Sequence, residues 1–184
     1  MGRGRHALVL ARSGFTPFGV DIAFDALRDA RAAAQQDGIP LRCVCADLTA
    51  WPLLAARFDL VLVTRYLDRA RMPALQSTVR AGGFVIYETF TQHQVRLGRG
   101  PTSPHHLLAP GELADWFAGW EVVFYDEVLE PEAVARLVAR KEVDAAIVID
   151  GAGIGSTIAS RCGFEKYGIE NRRCSVMGST RCTA

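Results

Sequence analysis

From Gly4 to about Lys141 the chain alternates stretches of helical periodicity with short apolar runs, a pattern satisfied by helices laid over a mostly parallel sheet. One run, FDLVLVT at 58–64, is almost unbroken apolar, as a strand covered on both faces must be, and it is expected at the centre of that sheet. The expected fold class is therefore α/β: a Rossmann-like, mostly parallel sheet with helices on both faces. Two strands near its end, WEVVFYDEVL and AVARLVAR, are expected to pair antiparallel.

Punctuation within the alternation sets the remaining elements. Residues 5–13 read as a helix stopped by Gly14, a short strand through Phe18–Val20 ends at Asp21, and residues 23–38 make a second helix closed by Gly38. LRCVCAD at 41–47 is a strand ending in Asp47; MPALQSTVR is a helix that breaks at Gly82-Gly83, from which FVIYETF emerges as a strand. Residues 91–110 form the longest loop, rich in proline and glycine and carrying His93, His105 and His106; a loop of that length in a compact domain reads as a lid. PGELADWFAG then opens a further helix. At 184 residues one core is the default.

Charge and composition exclude some functions. Lysines and arginines number 21 against 20 acids, so no field of one sign draws the chain to nucleic acid or to an anionic membrane, and a small-molecule partner fits better. No segment has the pattern of a secretory signal or the ~18 apolar residues of a membrane span, and a cytoplasmic location is expected. The five cysteines show no metal-ligand spacing; Cys43 and Cys45 share a strand face and read as ordinary thiols.

Three features converge on a nucleoside. Gly2-Arg3-Gly4 precedes a helix, where glycines admit a ligand to the backbone and the helix start offers unpaired N–H groups. Asp21, at the next strand's end, can accept from both hydroxyls of a ribose, and Asp47 on the adjoining strand can accept from an adenine amino group. In open α/β sheets ligands bind beyond the carboxyl ends of the strands, so the ends at Asp21, Asp47, Thr64 and Glu88 should border one crevice. Taken singly, each acid is equally readable as a helix cap or turn residue.

The ordered segments GRGRHALVLARSGF, FGVDIAFDAL, CADLTAWPL, FDLVLVTRYLDR, GGFVIYETFT and HHLLAPGELADWF resemble class I S-adenosylmethionine (SAM) dependent methyltransferases, and most the small bacterial group related to the tellurite-resistance methyltransferases. The resemblance implies SAM as cofactor and methyl transfer to a small-molecule acceptor. It places Gly2 and Gly4 beside the methionine part, Asp21 and Ile22 at the ribose, Asp47 and Leu48 around the adenine, and Thr64, Arg65 and Tyr66 near the sulfonium. Arg65, Tyr66 and Glu88 are the candidate catalytic residues, with His93, His105 and His106 as further groups able to take a proton.

Members of that family begin with an apolar strand ending in an acid, and this chain starts at the turn that follows it. Residues 1–141 are thus read as a methyltransferase-like domain lacking its first, central strand, and 142–184 as an atypical tail whose last fourteen residues are disordered. AAIVID at 145–150, followed by a glycine loop, repeats the opening logic: Gly2 to Asp21 and Gly151 to Glu170 span the same interval. One reading puts 145–150 in the vacant slot; another gives the tail no role. GAGIG with Glu170 also resembles the start of an FAD- or NAD-binding unit. A non-catalytic Rossmann remnant is the remaining alternative.

Overall fold

The computed structural model describes residues 1–143 and 172–178. Its elements in chain order are α1 (Arg5–Arg12), β1 (Phe15–Asp21), α2 (Phe24–Gln36), β2 (Arg42–Cys45), β3 (Phe58–Thr64), α3 (Met72–Thr78), β4 (Val79–Phe90), α4 (Glu112–Trp116), β5 (Glu121–Val128), β6 (Val134–Arg140) and β7 (Arg172–Gly178). Among the described residues seven strands form one sheet in the order β2-β1-β7-β3-β4-β6-β5. The first five in that order run parallel, and β6 pairs antiparallel with both β4 and β5. The α/β class, the antiparallel pair and the central place of FDLVLVT are as the sequence led us to expect.

Strand alternation divides the core in two. Val61, Val63, Val85, Tyr87, Leu137 and Met177 point to one face, where Met72 and Leu75 of α3 and Leu113 of α4 cover them. Leu62 and Ile86, offset by one residue, point to the other and meet Ala7 and Leu10 of α1 and Leu27 and Ala30 of α2. Each fully buried aliphatic side chain contributes roughly 1.5–3 kcal/mol on transfer from water, so both faces are needed to hold the sheet.

Gly4 shows how tightly the second layer is set. It precedes α1 at φ 80°, and a Cβ built there would stand 2.8 Å from the Ala30 Cβ of α2. Close packing of α1's start on α2 thus requires glycine at this position.

Four expectations are corrected. The slot between β1 and β3 is not vacant: β7 fills it, Val176 pairing with Gly19 on one side and Leu62 on the other. Accordingly the end of the tail is not wholly disordered, since 172–178 is a sheet strand with Ser175 and Met177 buried. Two parallel edges with unmet N–H and C=O groups provide the reason, because they impose strand structure on a segment with little periodicity of its own. Residues 145–150 and the GAGIG segment lie outside the described residues, and the slot proposed for 145–150 is held by β7.

The third correction concerns β4, which begins at Val79 rather than beyond Gly82-Gly83, because Val79 pairs with Phe58 and takes the chain out of α3. Fourth, the long loop is anchored. Gln94 is buried, its Oε1 accepting from Ala133 N–H at 2.7 Å and its Nε2 donating to Arg99 O at 2.8 Å. Leu107 and Leu108 are buried as well, and Leu108 N–H donates to Phe90 O at 2.9 Å. A buried amide and two buried leucines tie down the segment read from sequence as a lid.

Candidate functional site

The parallel register brings the strand ends together. Asp21 pairs with Cys45, Val20 with Met177, and Thr64 with both Gly178 and Glu88, so Cys45, Asp21, Gly178, Thr64 and Glu88 lie on one rung at the carboxyl edge. The rung continues through Arg136 to Asp126 on the antiparallel strands.

The glycine loop closes on this edge at Asp21. Gly2 N–H donates to Asp21 Oδ2 at 2.6 Å, the Met1 amine donates to the same oxygen at 2.8 Å, and Ala23 N–H donates to Oδ1 at 2.9 Å. The carboxyl is only 2% exposed. Burial works against its charge, yet the Met1 amine and the Ala23 and Gly2 N–H groups hold it below the ordinary aspartate range. One of its oxygens is thus spent on the loop, while Oδ1 has a single donor and retains acceptor capacity. Ile22, next in the chain, is exposed, and its carbonyl accepts from the Cys45 thiol at 3.5 Å.

Asp47 stands on the same rim, because Ala46 N–H donates to Asp21 O at 3.0 Å and carries the chain past the tip of β1. The side chain is exposed; its Oδ1 accepts from Thr49 N–H and Thr49 Oγ1, each at 2.8 Å, which holds the carboxyl below its ordinary range. Oδ2 has no hydrogen-bond partner among the described residues. Leu48 turns inward and is buried in the core.

Beyond Thr64 the backbone turns sharply. Arg65 sits at φ 56°, a left-handed conformation rare for a residue with a side chain, and its N–H donates to Glu88 O at 2.9 Å. Its guanidinium lies 4.3 Å from the Phe90 ring centroid, reaches Glu88 Oε1 at 3.4 Å and donates to Glu132 Oε2 at 2.5 Å. Arg136 Nε approaches the other Glu88 oxygen at 3.0 Å. Glu88 is thus held between two guanidinium groups, one against each of its oxygens. Tyr66 donates to Asp68 Oδ2 at 3.4 Å; burial and then the Asp68 charge push its phenol up to about 12. Tyr87, fully buried, donates to Tyr66 O at 2.9 Å and fixes the turn from below.

Of the histidines singled out from sequence, His105 and His106 are exposed and His93 is half-buried, all on the anchored loop. Sequence reasoning passed over His6, in the first turn of α1, whose electrostatic neighbours are Arg5, Glu88 and the Met1 amine. Its signal was available: it follows the glycine loop by two residues. A cavity of about 620 Å³ opens on the opposite face of the sheet, between Phe18, Met177 and Trp51, and none of the candidate site residues named from sequence lines it.

A mostly parallel sheet in this order, with a glycine loop tied to the acid at the tip of β1 and acids or polar groups at successive strand ends, is a fold shared with solved SAM-dependent methyltransferases. Residues 1–82 match the family described as the methyltransferase domain.

Solved structures agree on the fold. TehB from Haemophilus influenzae superposes with a TM-score of 0.62 at 18% identity, over 77% of this chain and 55% of that one. A SAM-dependent methyltransferase from Methanosarcina mazei gives a TM-score of 0.59 at 17% identity over 78% and 90% of the two chains. One from Mesorhizobium loti gives 0.59 at 17% identity over 76% and 87%. The chain therefore spans about half the length of TehB. No curated protein sequence matches it. The family resemblance noted in the sequence is borne out at the level of domain and fold. Among the described residues no helix is long and apolar enough to cross a membrane.

Proposed function

We propose that the carboxyl-edge crevice binds SAM and that the chain transfers its methyl group to a small-molecule acceptor. The observation that carries this reading is the 2.6 Å hydrogen bond from Gly2 N–H to Asp21 Oδ2, which sets the glycine loop against the acid at the tip of β1. The donor set fits such a ligand. Asp21 Oδ1, buried but with a single donor, keeps acceptor capacity for a ribose hydroxyl, Asp47 Oδ2 lies on an exposed side chain able to accept from an amino group, and the loop before α1 supplies N–H groups for a carboxylate. In this reading Gly2 and Gly4 border the methionine moiety, Ile22 and Leu48 flank the nucleoside, and Thr64, Arg65 and Tyr66 bound the reacting end.

When bound, SAM supplies an activated methyl group and an excellent leaving group, so the protein's work is alignment and exclusion of water. Arg65, fixed by its turn and its two carboxylates, and Tyr66, kept protonated, shape the acceptor side; Glu88 holds Arg65 and Arg136 in place.

Calorimetric titration of the whole chain with SAM, S-adenosylhomocysteine, NAD and FAD tests the reading. Saturable one-to-one heat is expected with the first two ligands alone. Heat with NAD or FAD instead selects a different enzyme class, and silence with all four selects a non-catalytic remnant; either result overturns the proposal.

A further inference from the structure

We infer that His6 is the base that takes the proton from the incoming nucleophile, which restricts the acceptor to molecules presenting an O–H, N–H or S–H group; this rests on the cofactor reading above. The argument begins with the sheet. Leu62 and Ile86 point to the α1 layer, so Thr64 and Glu88, two residues further along the same strands, point to that side at the edge itself. The start of α1 stands over this edge, because Gly2 is hydrogen-bonded to Asp21 on the same rung. His6, in the first turn of α1, follows the glycine loop by two residues on this side of the sheet and counts Glu88 among its electrostatic neighbours, which puts it toward the reacting end in the cofactor reading.

The imidazole is half-buried and neither ring nitrogen makes a hydrogen bond among the described residues. The charged groups around it are Arg5 on its own helix, the Met1 amine, and Glu88 on β4, itself flanked by Arg65 and Arg136. Burial and then Arg5 lower its proton affinity against the opposing pull of Glu88. A neutral imidazole with a free lone pair results at neutral pH. Glu88, occupied by two arginines, is poorly placed to take a proton itself but favours the imidazolium once formed.

The step balances. The nucleophile's lone pair forms the new bond to the methyl carbon and the carbon–sulfur pair returns to sulfur, which becomes neutral. The proton of the O–H, N–H or S–H passes to His6 and from there to solvent.

The test needs no acceptor. The imidazole titrations of the chain's four histidines are followed by NMR, alone and saturated with SAM or with S-adenosylhomocysteine. The His6 resonance is assigned through His6→Asn and, independently of any variant, by through-bond experiments on the unaltered chain. SAM is expected to lower the His6 midpoint by about 0.3 pH unit or more, the size a unit charge ~10 Å away produces even at the dielectric of water. S-adenosylhomocysteine, neutral at sulfur, should lower it distinctly less. A His6 midpoint unmoved by saturating SAM, or moved equally by both ligands, overturns the inference while leaving the cofactor reading intact. Absence of SAM binding by calorimetry removes both.

Discussion

Gly2 and Asp21 are joined by a 2.6 Å hydrogen bond from backbone N–H to carboxylate, which ties the loop before α1 to the tip of β1. Asp21→Asn puts an amide where N–H donors converge, and about 2 kcal/mol of stability should be lost at neutral pH, the scale of charged hydrogen bonds. The pH dependence has a definite sign. A carboxylate held below its ordinary range contributes stability that is present above the unfolded value, ~3.9, and is lost as pH falls through the lower folded value. Denaturant titrations at pH 7 and below pH 4 should therefore show the gap between wild type and Asp21→Asn narrowing in acid.

β7 lies between two parallel neighbours, and Met177 is buried among the residues of the larger core. Met177→Asp places an unpaired charge there and should cost about 3–5 kcal/mol, while Val176→Pro breaks the ladder at a residue paired on both sides, for about 3 kcal/mol. Circular dichroism on heating reads both. Unchanged melting in the two variants would show that the strand contributes nothing to the sheet.

Arg69 anchors the long loop through Glu112. Its Nε donates to Glu112 Oε1 at 2.6 Å and its Nη2 to Oε2 at 2.9 Å, and the same Nη2 reaches Leu107 O at 2.9 Å. Arg69→Ala should raise the rate of limited proteolysis within 98–106 by about tenfold, the factor carried by ~1.4 kcal/mol of lost local anchoring. Glu112→Gln should act in the same direction more weakly. Cleavage at the wild-type rate in both variants contradicts the anchoring role.

Tyr87 supports the Arg65–Tyr66 turn through its hydroxyl. Tyr87→Phe leaves the Tyr66 carbonyl unpaired near the core and should destabilise the chain by about 1–2 kcal/mol in chemical denaturation. Unchanged stability in Tyr87→Phe would remove the significance of the contact.

The legible part of the fold follows from period and punctuation. Phe58–Thr64 announced a two-sided strand because nearly every residue is apolar, and α2 was bounded by Gly38 and a regular Ala/Leu spacing. β7 was not legible, since a strand reading RRCSVMG takes its conformation from the edges of β1 and β3 rather than from its own pattern. The start of β4 was missed for a similar reason, as Val79 obeys a pairing with Phe58 that no local signal encodes. In the site, strand ends were readable because acids punctuate apolar runs. The Glu88–Arg136 pairing, 48 residues apart, and the position of His6 over the edge depend on register and layer order, which a linear reading lacks.

Hydrogen exchange of the backbone amides, with and without saturating SAM, measures the central claim most directly. Protection is expected together at residues 2–5, around Asp21–Ala23 and around Asp47–Thr49, and it should vanish with Asp21→Asn. Binding that leaves these three segments unprotected, or that protects the opposite face around Trp51 and Phe58 alone, contradicts the account.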